Sequence, residues 1–192
     1  IGLLPGSRRE EIARLLPPML DAARRLAAAD GRRRFVLGLA PTVPREQVQA
    51  HLRAAGGPPI ELLSGNTYEL MVAADVLLIA SGTATLEAAL LGAPMVLCYR
   101  VSRTTELIAR MLTHVEWIGL PNLIAGRVVA PELIQAQVTG ERLAAEAGRL
   151  LDEDPVAAPA QRAGCKEVRA RLGEPGVGQR AALAVLRTAR AG

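Results

Sequence analysis

The chain has 192 residues, half of them hydrophobic, with 18 glycines and only 2% aromatics. That is enough apolar mass for a real core, one domain by default, built from aliphatic helix–sheet packing. The formal charge of +4 is mild, and the arginines are spread along helical segments rather than gathered in a stripe; with so few stacking side chains, a dedicated nucleic-acid surface is excluded.

In chain order, apolar runs alternate with helical periodicity. Ile1–Leu4 reads as a short strand. Residues 10–16 read as a helix that Pro17 and Pro18 interrupt, with a second helix restarting there and running to Ala29. Strands follow at 34–39 and 60–63, separated by a helix over 45–55. A small helix over 67–74 leads into Val76–Ala80, an apolar run without alternation. Such runs occur where helices cover both faces of a sheet. The next helix, 84–91, ends at Gly92, and 95–99 is the strand after it.

This rhythm predicts an α/β fold with a Rossmann-like, doubly wound parallel sheet. Beyond Tyr99 the expected elements are a helix over 104–112, a last short strand over 115–119 and a loop over 120–126. A helical turn over 131–135 and three helices over 139–151, 157–172 and 179–190 complete the chain. Residues 1–155 are taken as the nucleotide-binding domain, and 156–192 as helices that pack on a partner domain or subunit.

Two loops carry the chemistry. Leu4-Pro5-Gly6-Ser7-Arg8 follows the first strand, and Ala80-Ser81-Gly82-Thr83 follows the central one. Each opens a helix, where backbone N–H groups and the helix dipole favour an anionic ligand. Glu87 lies four residues after Thr83, one turn into the second helix. The pair of loops with this acid suggests a nucleotide-sugar site. Gly6 allows close backbone approach; Ser7 offers a hydroxyl donor or a helix cap. Arg8 suits bidentate bonds to a diphosphate, or a salt bridge to Glu10 or Glu11.

Cys98, Cys165, His51 and His114 show no metal-ligand spacing, so neither a metal nor a disulfide framework is expected. No secretory signal and no membrane-spanning run is evident, which suggests a cytoplasmic protein. The chain opens at Ile1, inside an apolar run and without Met, so it is expected to be part of a longer protein.

Further motifs are Pro94-Met95-Val96, Tyr99-Arg100, Leu120-Pro121-Asn122-Leu123-Ile124-Ala125-Gly126-Arg127 and Pro131-Glu132-Leu133-Ile134-Gln135. Together with the two loops, and in this order, they resemble the C-terminal half of the lipid-A-disaccharide synthase family over residues 3 to about 172. The resemblance implies a two-domain GT-B architecture whose C-terminal half holds the sugar nucleotide. The implied reaction transfers 2,3-diacylglucosamine from UDP to 2,3-diacylglucosamine 1-phosphate with inversion, releasing UDP. No cofactor is implied. Partners are the UDP-diacylglucosamine donor, the diacylglucosamine 1-phosphate acceptor and a missing N-terminal acceptor domain. The resemblance also implies the cytoplasmic face of the inner membrane as location and suggests a homodimer with exchanged C-terminal segments.

The nucleotide-sugar site so implied comprises Gly6, Ser7, Arg8, Ser81, Gly82, Thr83, Glu87, Tyr99, Arg100, Asn122, Glu132 and Gln135, with Arg8 and Asn122 catalytic. Glu87 would take the ribose hydroxyls. Arg100 would assist the diphosphate or stay solvated. Asn122 would donate and accept at sugar or phosphate, or simply form a turn. Glu132 and Gln135, on one face of the expected helical turn, would read donor-sugar hydroxyls or remain an exposed polar face. The general base is expected in the missing half. Residues 103–113, with Glu106 and no aromatic, depart from the aromatic and basic character usual there for membrane association. Another GT-B transferase, a UDP-sugar epimerase half and a free-standing nucleotide-binding module are the competing readings.

Overall fold

A computed structural model describes residues 1–101 and 116–190; the helix expected over 104–112, Glu106 and His114 lie outside the described residues. Six parallel strands form one sheet in the order β3-β2-β1-β4-β5-β6. They are β1 (Gly2–Leu4), β2 (Phe35–Leu39), β3 (Ile60–Ser64), β4 (Leu77–Ala80), β5 (Met95–Tyr99) and β6 (Glu132–Ile134). The order runs outward in one direction from β1 and in the other from β4, so the strands diverge between them, where open α/β sheets bind ligands.

Strand pleating sends alternate residues into two cores. In β4, Leu78 and Ala80 join the core under α1 (Arg9–Ala29) and α2 (Arg45–Ala55). Leu77 and Ile79 join the other core, under α3 (Thr67–Ala73) and α4 (Thr83–Leu91). On the first face α6 (Gly140–Gly148) packs along α1; on the second, α5 (Leu120–Ala125) and α7 (Ala157–Leu172) pack against α4. The doubly wound architecture is thus observed. The terminal helix α8 (Val177–Arg190) is exposed throughout 177–189. No described helix is long and apolar enough to cross a membrane.

Three local expectations need correction. First, α1 runs unbroken through Pro17 and Pro18. Each proline costs a helix interior about 3 kcal/mol. The buried row Ile12, Leu15, Leu16, Met19, Leu20, Ala23 and Leu26 nevertheless continues across them, and that burial outweighs the local penalty. Pro18 cannot donate to the Arg14 carbonyl; the Arg100 guanidinium does so instead, at 3.5 Å.

Second, residues 120–125 are helical rather than a loop, with Pro121 in the first turn and Gly126 closing the helix at a left-handed φ of 64°. Third, 116–119 carries no strand; the sixth strand is 132–134, inside the expected helical turn. Its backbone completes the edge of β5, a long-range pairing that no local periodicity reports. Within 156–192, α7 packs on this chain, burying Gln161, Gly164, Cys165 and Val168.

Candidate functional site

The carboxyl ends of β1 and β4 are neighbours, with Leu4 registered against Ile79. Both loops therefore open on the same edge of the sheet. They share a cavity of about 300 Å³ lined by Gly6, Ser7, Arg8, Ser81, Gly82 and Thr83, among others. A second cavity of about 450 Å³ lies toward β5 and is lined by Arg8, Ser81, Tyr99 and Arg100. Arg8 and Ser81 border both.

In the first loop, Gly6 takes φ +109°, a conformation that L side chains rarely adopt. A Cβ there would lie 2.3 Å from the Glu11 carboxylate. That carboxylate folds back over the loop: Oε2 accepts from the amides of Ser7 (3.0 Å) and Arg8 (3.1 Å), and Oε1 accepts from Arg8 Nη1 (3.0 Å). Glu11, third residue of α1, thus closes one half of a capping box. Of the two nearby acids, Glu11 pairs with Arg8, whereas Glu10 pairs with Arg14 at 2.9 Å. The Arg8 side chain is 81% exposed, so most of its donors face solvent and the cavities. Thr42 Oγ1 donates to the Ser7 carbonyl at 2.6 Å, tying the loop to the segment after β2.

The second loop differs. Ser81 N is committed to the Cys98 carbonyl, and Thr85 Oγ1 donates to the Gly82 carbonyl at 2.7 Å, tightening the start of α4. The amides of Gly82, Thr83 and Ala84 meet no acceptor among the described residues. They are the orphan donors of a helix N-terminus, available to an anion. Glu87 sits one turn further, and its Oε1 accepts from the Tyr68 hydroxyl at 3.2 Å. The Glu87 charge, and then this hydrogen bond, push the Tyr68 phenol above its ordinary pKa. Tyr68 escaped the sequence reading because it lies 19 residues from Glu87 on α3. Glu11 was legible only as a partner for Arg8, although its three-residue spacing is that of a capping box.

The remaining predicted residues lie at the end of β5 and around β6. Tyr99 is half-buried at the end of β5; Arg100, which lines the second cavity with it, also donates to the Arg14 carbonyl of α1. Asn122 is fully buried. Its Nδ2 donates to the Ala130 carbonyl (2.7 Å) and Glu132 Oε1 (2.8 Å), while Oδ1 accepts from the amides of Val129 (2.7 Å) and Ala130 (2.9 Å). Both donors and both acceptor sites of the carboxamide are used within the chain. Glu132 also accepts from the amides of Ile118 and Gly119, both at 2.9 Å. A Cβ at Gly119 would sit 2.8 Å from that carboxylate and 2.3 Å from Leu97 Cδ1, so glycine is what fits. Gln135 adopts a left-handed φ of 52°, and its Oε1 accepts from Val101 N at 2.9 Å. With 132–134 in a strand, Glu132 and Gln135 do not share a helix face.

Among the described residues no three His, Cys, Asp or Glu side chains converge as metal ligands. Both cysteines are buried and unpaired. Burial pushes the Cys98 thiol up to about 12 and the Cys165 thiol up to about 11.

A family model described as lipid-A-disaccharide synthetase matches residues 1–186. A lipid-A-disaccharide synthase from Anaeromyxobacter dehalogenans (strain 2CP-C) is 46% identical over 186 residues, covering 97% of this chain and 48% of the relative. Relatives of the same description from Syntrophus aciditrophicus and Myxococcus xanthus are each 44% identical, with the same coverage. The chain therefore spans about half the length of the curated relatives it matches. Among solved structures, a Listeria monocytogenes protein described as a UDP-N-acetylglucosamine 2-epimerase superposes with a TM-score of 0.53 at 18% identity. That match covers 84% of this chain and 39% of the other, a likeness of fold alone.

Proposed function

Because the chain belongs to the lipid-A-disaccharide synthetase family, we propose that it is the donor-binding half of an inverting glycosyltransferase. The donor is UDP-2,3-diacylglucosamine and the acceptor 2,3-diacylglucosamine 1-phosphate. Residues 1–155 hold the nucleotide; α8, exposed along 177–189, meets the N-terminal half or a second copy. Neither substrate requires the chain to cross a membrane; their acyl chains bring it to the cytoplasmic face of the inner membrane as a peripheral protein.

One observation carries this reading: the open amides of Gly82, Thr83 and Ala84 share a cavity with the exposed Arg8 guanidinium at the point where strand order diverges. In the reaction, the acceptor hydroxyl oxygen bonds to the anomeric carbon, and the bond from that carbon to the diphosphate oxygen breaks. Its electron pair leaves on UDP, and a base from the other half takes the hydroxyl proton. The α4 amides and Arg8 stabilise the charge that accumulates on the departing diphosphate. Glu87, steadied by Tyr68, accepts from the ribose hydroxyls. Asn122, Glu132 and Gln135 act behind the site, holding the segments that follow β5 and precede β6.

The test is titration calorimetry of the chain with UDP. Arg8→Ala is expected to weaken binding by about 1.5–3 kcal/mol, the scale of a charged hydrogen bond. Equal affinities for wild type, Arg8→Ala and Glu87→Ala would reject the site. No binding at all would reject the nucleotide reading, and a disaccharide product from the chain alone would place the base in this half.

A further inference from the structure

We propose that Glu11 is a positioning residue for Arg8: an internal anion that occupies the first loop and leaves the diphosphate to the second. This rests on the reading of the cavity as a UDP site. A backbone amide has one hydrogen, and those of Ser7 and Arg8 are both given to Glu11 Oε2, at 3.0 and 3.1 Å. A phosphate oxygen cannot use them while Glu11 is in place. The amides of Gly82, Thr83 and Ala84 meet no acceptor among the described residues. Of the two loops that look equivalent in sequence, one is already filled by a carboxylate and the other is open.

Arg8 is shared differently. A guanidinium carries five N–H donors in a planar fork, and Glu11 takes one of them, at 3.0 Å from Nη1. The rest remain for the cavity, which Arg8 lines together with Ser81 and Thr83. Glu11 thus fixes the exposed side chain at one corner and leaves its other nitrogens to the ligand. A long cation that must be ordered on binding costs affinity, and one already tethered costs less. Gly6 belongs to the same device. Its left-handed φ of +109° and missing Cβ are what allow the carboxylate to lie against the loop.

Glu11→Gln separates tethering from helix capping. The carboxamide oxygen still accepts from the Ser7 and Arg8 amides, but its NH2 group has no lone pair for the guanidinium. UDP affinity should then fall roughly three- to tenfold, the cost of re-ordering one long side chain, while UMP, lacking the second phosphate, is affected less. The quantity to measure is the ratio of UDP to UMP affinity on the 192-residue chain, by calorimetry and competition, beside the melting temperature. Gly6→Ala, which pushes the carboxylate away by a separate route, should lower the same ratio. A lowered melting temperature with an unchanged ratio in both variants would make Glu11 a cap and nothing more. Tighter UDP binding by Glu11→Gln would make it a competitor of the diphosphate; either result overturns the proposal. Wild-type chain that fails to bind UDP removes the functional reading itself, whereas UDP binding with a variant-insensitive ratio removes only the role of Glu11.

Discussion

Polar side chains around the site differ mainly in whether their hydrogen-bonding capacity is spent inside the chain. Asn122 has none left. Asn122→Ala would strand the amides of Val129 and Ala130, the Ala130 carbonyl and part of Glu132 in a dry interior. It is expected to cost about 2–4 kcal/mol in urea denaturation, since each buried unsatisfied group costs about 1–3, with UDP affinity of the folded protein preserved. Loss of UDP binding at unchanged stability would return Asn122 to direct ligand contact. Tyr68 is the opposite case, an exposed phenol that donates to Glu87. Its pKa is raised because ionisation would set a second negative charge beside Glu87. The chain has two tyrosines, so ultraviolet titration can follow them. One should ionise above the ordinary value of about 10, and Glu87→Gln should bring it back down; titration curves that coincide would show that the two groups do not interact.

Among whole elements, α7 is held to the sheet by a side chain that behaves as a strand. The pairing of β6 with β5 reaches Leu97, Cys98 and Tyr99, leaving Met95 without a β6 partner on its outer edge. Gln161 Oε1 accepts from Met95 N at 2.6 Å and its Nε2 donates to Met95 O at 2.9 Å, the bidentate pattern of a neighbouring peptide. The Gln161 side chain is buried. Gln161→Leu keeps the apolar bulk but removes both bonds and should destabilise by about 2–4 kcal/mol, two buried groups losing their partners. Gln161→Glu should fare as badly, because a carboxylate cannot donate to the Met95 carbonyl. A variant within about 0.5 kcal/mol of wild type, the range of an ordinary surface change, would show that the bonds are replaceable.

For the molecule as a whole, two helical layers seal a sheet whose central strands are apolar on both faces, and the thiols report on that seal. Cys98 lies in β5 and Cys165 in α7, one in each core. With their pKa values pushed up to about 12 and about 11 by burial, almost no thiolate exists at neutral pH. Native protein should leave both unmodified by an aromatic disulfide reagent, and labelling should rise with denaturant along the unfolding curve. Rapid labelling of Cys165 alone, at no denaturant, would mean that α7 opens independently of the sheet.

Much of this molecule was legible in the residues themselves. Non-alternating runs such as Leu77–Ala80 report burial on both faces, and Gly92 after a helical stretch reports its end, because both signals act within a few residues. The two loops are legible for the same reason, since a tight strand-to-helix turn takes its glycine and its small hydroxyl residues from consecutive positions. What only the tertiary structure decided depends on partners far along the chain. The prolines of α1 read as a break because the local cost is visible and the buried row that repays it is counted only once the sheet is in place. Residues 132–134 form a strand because β5 offers an unpaired edge, which no pattern inside that tripeptide reveals. The inequality of the two loops is of the same kind: both carry the same promise in sequence, and one is filled because Gly6 lets the Glu11 carboxylate fold back onto it, while the amides of Gly82 and Thr83 meet no acceptor among the described residues.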